Sequence, residues 1–282
     1  MTTPTPISPA ARWFMIAAAV LVTSAGVSLF FFSESTPRYF AWTIKPPATA
    51  AYLGGGYLTV ATAMVLGLRA HDWAQARIGF WVVATGLASI LVASLIHLDK
   101  FHLHSEILSA RAWAWSWMVL YVALIPALVA VRRAQLRIPP VHESNPALLP
   151  GALRLAMRAL GFLMLSLGAV LFVVPASAEY LWPWKLTPLT ARMAGSFYLA
   201  IAVSLFAAAR EKDYRRIHVA AFAWMAGTVM QAVNSLIRYP VENWNTLAGA
   251  QVALVHIGLL VVGALAVQGY LATRRGETTG LY

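Results

Sequence analysis

Eight apolar stretches, each long enough to cross a hydrocarbon core, recur along this chain between charged or proline-containing breaks, and they constrain its fold more than any other feature. They run at about 13–32, 48–68, 76–96, 112–131, 153–174, 189–209, 217–237 and 247–271. A core of ~30 Å takes roughly 20 residues at the helical rise. In lipid only a helix or a closed barrel satisfies the backbone, and unbroken apolar runs of this length predict helices. Composition agrees, with 60% hydrophobic and 11% charged residues where a soluble chain carries about 25% charged. The expected fold is an all-α integral membrane protein with about eight transmembrane helices. The first stretch is too long for a signal-peptide core and has no positive charge before Arg12, so it reads as an uncleaved anchor.

Sliding the chain against itself by 141 residues reveals an internal repeat. Tyr39, Pro47, Thr49, Ala50, Gly54, Tyr57 and Leu58 meet Tyr180, Pro188, Thr190, Ala191, Gly195, Tyr198 and Leu199. Arg69 and Asp72 then meet Arg210 and Asp213, Gly86 meets Gly227, and Ser94-Leu95-Ile96 meets Ser235-Leu236-Ile237. This predicts two tandem four-helix repeats, residues 1–134 and 151–282, joined by a polar linker at 135–150. Four spans is an even number, so the repeats lie in parallel orientation, which is the weaker of the two repeat classes as a hint of alternating-access transport. Small residues at fourfold spacing, Thr59, Ala63 and Gly67, coincide in register with Ala200, Ser204 and Ala208. Such stripes admit close helix approach, so the second and sixth spans are expected at the internal axis or at a homodimer interface.

The net charge of +11 raises the question of partners. One set of breaks and helix ends holds fourteen Lys and Arg residues, the alternate set seven, with acidic residues split five and five. Positive charge is retained on the cytoplasmic side, which predicts both termini in the cytoplasm, and the Ala-rich spans with short connections look like those of a bacterial plasma-membrane protein. Topology and attraction to anionic membrane lipids then account for the charge, and no nucleic acid partner is expected.

The absence of cysteine removes disulfides, thiolate metal sites and thiol nucleophiles. No phosphate loop, HExxH, GxSxG or CxxC pattern occurs, and Gly54-Gly55-Gly56 lies inside a span, where it reads as close packing or a kink. Asp72 and Asp213 sit beside arginines in matched breaks and read as local ion pairs or helix-end contacts. Two polar groups remain. The segment between the third and fourth spans carries His97, Asp99, His102, His104 and Glu106, a donor set that suits a transition metal. On a helix Asp99, His102 and Glu106 would share a face and His97 and His104 the opposite one, so one ion could take all five only from a loop. The alternative is a solvated polar loop.

The second group is intramembrane. His256 lies well inside the eighth span, where polar residues are costly and often functional, and its counterpart in register is Trp115. Gln251 is about one turn away, and Gln231 and Asn234 occupy the same end of the seventh span. They predict either an interhelical hydrogen-bond set or a ligand pocket open to the outer side, with Arg192 holding an anionic headgroup or snorkelling to the interface. The tryptophans near the span ends, among them Trp42, Trp182 and Trp184, read as an interfacial belt or as an aromatic mouth to that pocket. The leading expectation is a protein that binds or passes an apolar or amphipathic small molecule, or serves as a subunit of a larger membrane complex. The alternative is a metal- or haem-bearing redox protein or enzyme using the outer histidines; a bis-histidine haem would need His97 and His256 at matching depth, and they differ by roughly 14 Å at 1.5 Å per residue.

Overall fold

The computed structural model describes residues 5–139, 147–238 and 243–275. Every expected span is a helix: α1 Pro9–Phe31, α2 Pro47–Leu68, α3 Trp73–Ile96, α4 Leu108–Leu136, α5 Gly151–Val173, α6 Pro188–Arg210, α7 Tyr214–Arg238 and α8 Leu247–Arg274. All eight are long and apolar enough to cross a membrane, which makes this a multi-pass membrane protein. The ends overrun the apolar windows because capping residues and charged last turns are helical too. Ser8 accepts from the Ala11 N–H, Asp72 from Ala74, and Thr246 from Gly249. Thr187 and Thr190 cap α6 reciprocally. These bonds satisfy N–H groups that a helix start leaves orphaned.

Backbone contacts gather the connections at two ends. The Trp73 N–H donates to Thr5, and Leu149 to Lys212; the Ser8 N–H donates to Gln135. The first and last tie the N-terminal segment to the start of α3 and the end of α4, and the second ties the segment before α5 to the break after α6. At the opposite end the His102 N–H donates to Ala41 and Asn243 to Pro183.

The centre is formed by α2, α3, α6 and α7. α1 lies along α2, and α5 along α6; α2 packs on α7, and α3 on α6; α4 covers α1 and α3, and α8 covers α5 and α7. Exchanging the first four helices for the last four maps this set of pairings onto itself. Glycines make the two flanking pairs close. A Cβ on Gly54 would stand 2.6 Å from the Phe30 nitrogen and 2.9 Å from the Gly26 carbonyl; on Gly195 it would stand 2.8 Å from the Gly168 carbonyl and 3.1 Å from the Phe172 nitrogen. Only a hydrogen fits there, because the obstacle is backbone.

Two details differ from the sequence reading. The small-residue stripes admit mainly α3 and α7: Thr59 packs against Gly227, Ala63 approaches the Cβ side of Gly79, and Ser204 accepts from Trp224 Nε1. α2 and α6 touch each other only lightly, where Gly56 meets Phe197. The spacing also slips. The one-turn helices Thr36–Tyr39 and Ala178–Leu181 are 142 apart, whereas α2 and α6 begin 141 apart, so the connection is one residue shorter in the second half. Tyr39 therefore corresponds to Leu181 and not to Tyr180. Its hydroxyl donates to the Ser28 and Phe32 carbonyls at the end of α1, and burial pushes its pKa up to about 12, which keeps it a donor.

Candidate functional site

The loop histidines are spread apart. His97 ends α3, and its Nε2 accepts from Arg192 Nη1 at 2.8 Å. Burial first, and the Arg192 charge second, hold its pKa below the ordinary histidine value. Asp99 is exposed and pairs with Lys100 at 2.7 Å, which lowers its carboxyl pKa by hydrogen bonding. His102 has both ring nitrogens engaged, with the Phe40 carbonyl at 2.9 Å and Thr43 Oγ1 at 3.1 Å. His104 and Glu106 are exposed. Among the described residues no three His, Cys, Asp or Glu side chains gather as a group that could hold a metal ion. His102 instead ties its loop to the segment after Thr36–Tyr39.

The intramembrane polar residues act mostly as fasteners between helices. Gln231 Nε2 donates to the Tyr52 carbonyl at 2.9 Å and Asn234 Nδ2 to the Ala48 carbonyl at 3.3 Å, joining α7 to α2. Gln251 donates to the Leu181 carbonyl. Arg192 reaches His97 across α6 and α3. His256 Nδ1 donates to the Val252 carbonyl at 2.7 Å within α8, and its ring meets Tyr52 edge-on at 6.1 Å. Of the five residues, Gln231 and His256 alone share a cavity. It is about 30 Å³ and is also lined by Met164, Tyr198, Trp224 and Thr228. A water needs about 10–15 Å³ of such space, so this cavity has the size of a water site, and the buried Gln231 Oε1 has no protein partner. A cleft of about 930 Å³ does open at this end, beside Glu179, Trp182, Trp184 and Lys185, but none of the five residues lines it.

The tryptophans divide. Trp13 and Trp115 are exposed as a belt requires, whereas Trp42, Trp182 and Trp184 are buried. Trp42 packs within 5.3 Å of Phe40, Phe101 and Trp117 ring centroids, and Trp182 stands edge-on to Tyr52 and Trp184. Each half thus closes one end of its core with an aromatic plug.

The cavity suited to an organic ligand lies elsewhere, between α1, α3 and α4. It measures about 410 Å³, within the usual range of ligand pockets. Its walls are apolar, with Phe14, Leu21, Val22, Val83, Trp113 and Leu124 among them, and Ser24, Ser116, Tyr57 and Tyr121 are the residues with hydroxyls in its lining. The two tyrosine hydroxyls share a hydrogen bond of 2.7 Å. Trp117 stacks on Tyr121 at 4.6 Å and donates to Ser94 Oγ at 3.0 Å, so the wall is held rigidly.

The groove and the small cavity occupy corresponding places. Val22, Tyr57, Val83 and Leu87 of the first half line the groove, and Met164, Tyr198, Trp224 and Thr228, at offsets of 142, 141, 141 and 141, line the cavity. At two of these four, Met164 for Val22 and Trp224 for Val83, the second half carries the larger side chain, whereas Tyr198 equals Tyr57 and Thr228 is smaller than Leu87. Val83 and Trp224 stand 141 apart, as in the register read from the sequence, but that register sets Val22 against Leu163, and only the packing sets it against Met164. No protein-family model, no curated protein and no solved structure matches this chain.

Proposed function

We propose that this polytopic membrane protein binds an apolar or amphipathic small molecule in the groove between α1, α3 and α4. The observation that carries the reading is the groove itself, 410 Å³ of mainly apolar wall with a tyrosine pair and two serines in its lining. A ligand with a long hydrocarbon or aromatic body and one hydroxyl or carbonyl suits it: the body takes the α1 and α4 walls, and the polar group exchanges hydrogen bonds with Ser24, Ser116 or the tyrosine pair. Gln231 and Asn234, which join α7 to α2, and Arg192, which joins α6 to the end of α3, support two of the helices around it; Gln251 and His256 bond elsewhere, to Leu181 and Val252. A diazirine-bearing long-chain alcohol tests the reading. Saturable labelling of the α4 segment around Trp113 to Tyr121, abolished by Val83→Trp, is expected; labelling that neither saturates nor responds to Val83→Trp would overturn it.

The same reading takes the chain as two parallel four-helix repeats, 1–134 and 151–282, linked by 135–150, in a bacterial plasma membrane with both termini cytoplasmic. The mapping of helix pairings onto themselves supports the repeat, and the fourteen-to-seven distribution of Lys and Arg supports the orientation. The linker lies partly outside the described residues. Because the chain has no cysteine, single cysteines report topology cleanly. Ser105→Cys is expected to react with an impermeant maleimide on intact cells and His71→Cys only after permeabilisation; the reverse pattern would invert the orientation.

A further inference from the structure

At the end that gathers the N-terminal segment, a cleft of about 840 Å³ opens between α3 and α4 on one side and the α6–α7 junction on the other. Five cationic side chains line it, Arg77, Arg132, Arg210, Lys212 and Arg216, against two carboxylates, Asp72 and Glu211. Both carboxylates are already committed. Asp72 caps α3 by accepting from the Ala74 N–H at 3.0 Å. Glu211, buried, is paired with Arg77 of the first half and with Arg216 at 3.6 Å. Arg132 lies over the Trp81 ring at 4.9 Å, and Arg132, Arg210 and Lys212 reach no carboxylate among the described residues. Among the described residues the rim therefore holds three cations with no carboxylate partner, at the level where helices end.

The wall behind it is apolar. Phe80, Trp81 and Ala84 on α3 and Leu128 on α4 continue the cleft into the span, and Ala84 is about 10 Å deeper than Arg77 at the helical rise. Cations at the helix ends with an apolar channel one to two turns below match a phosphate attached to a hydrocarbon chain better than a free anion, which would leave the channel unused. We propose that this cleft is a binding site for an anionic phospholipid, its phosphate held by Arg132, Arg210 and Lys212 and one acyl chain laid along Phe80, Trp81, Ala84 and Leu128. Since α3 and α4 belong to the first half and the other wall to the second, the lipid joins the two halves beside the Arg77–Glu211 pair.

Native mass spectrometry of the full chain, with phosphatidylglycerol, phosphatidylcholine and inorganic phosphate as probes, tests this. Dioleoyl phosphatidylglycerol is expected to bind well above dioleoyl phosphatidylcholine, and the triple substitution Arg132→Ala, Arg210→Ala, Lys212→Ala to weaken it by at least about tenfold. A control removing three exposed cations at the opposite end, Arg38→Ala, Arg111→Ala and Lys185→Ala, should stay within about twofold. Equal binding of the two lipids, or equal loss in both triple variants, would refute a built site. Displacement of phosphatidylglycerol by an equal concentration of inorganic phosphate would assign the cleft to the free anion and refute the lipid.

Discussion

α4 and α8 close the two halves at the same point in the helix order, yet they close them differently. α8 lies along much of α7, with Gly263 against Met225 and the Ala221 carbonyl, and Trp224 and Met164 fill the space behind it. α4 carries an internal proline, Pro126, which removes one helical hydrogen bond, and it meets α3 much less closely. With valines at the two aligned positions, the space between α1, α3 and α4 stays open. Two small-for-large differences thus separate a packed half from a half with a ligand-sized groove, on one helix arrangement.

The strongest way to break this comparison is to hollow out the packed half. Trp224→Ala should cost about 3–5 kcal/mol, because it opens a cavity and leaves the buried Ser204 hydroxyl without its indole donor; Val83→Ala, on the open side, should stay below about 1.5 kcal/mol. Thermal unfolding in one detergent reads both, and equal losses would contradict the difference in packing. Next come the glycines. Gly54→Ala and Gly195→Ala should each destabilise by about 1–3 kcal/mol, and by similar amounts, since both meet backbone; a neutral Gly195→Ala would show that the second half does not depend on the same contact. Tyr121→Phe is milder, about 1 kcal/mol, as it leaves the Tyr57 hydroxyl without its 2.7 Å partner; it should also weaken a hydroxyl-bearing ligand more than a hydrocarbon one.

The smallest effect is with pH. The fold favours neutral His97, so the Arg192 contact contributes fully above the ordinary histidine value of 6.5 and is lost as pH falls through the lower folded value. Exposure of the ring keeps the effect small. Melting of the wild type should drop slightly more than that of His97→Gln between about pH 7.5 and pH 5; identical drops would remove His97 from the acid response.

The spans were readable because lipid imposes length and continuity on each segment separately, and α2 and α6 begin within a residue of their expected positions. The sites were less readable because they depend on which helices meet. Gln231 and Asn234 carry the polarity that marks a pocket, but their partners are the Tyr52 and Ala48 carbonyls, which periodicity does not reveal. His97 to Glu106 has the composition of a metal site, yet His102 is spent on Phe40 and Thr43, far away in sequence. The Arg77–Glu211 pair joins residues 134 apart, one from each half. The buried plug tryptophans look in sequence like interfacial ones, since both kinds sit at span ends.

The central claim is that the first half holds a ligand where the second is filled. It is tested most directly by extracting and quantifying the apolar molecules that accompany the purified wild type and a Val22→Met, Val83→Trp variant, which copies Met164 and Trp224 into the groove. One apolar species at near-stoichiometric amount in the wild type, and its loss from a variant that melts no lower, is the predicted result. The same species in equal amount from both proteins would contradict the account.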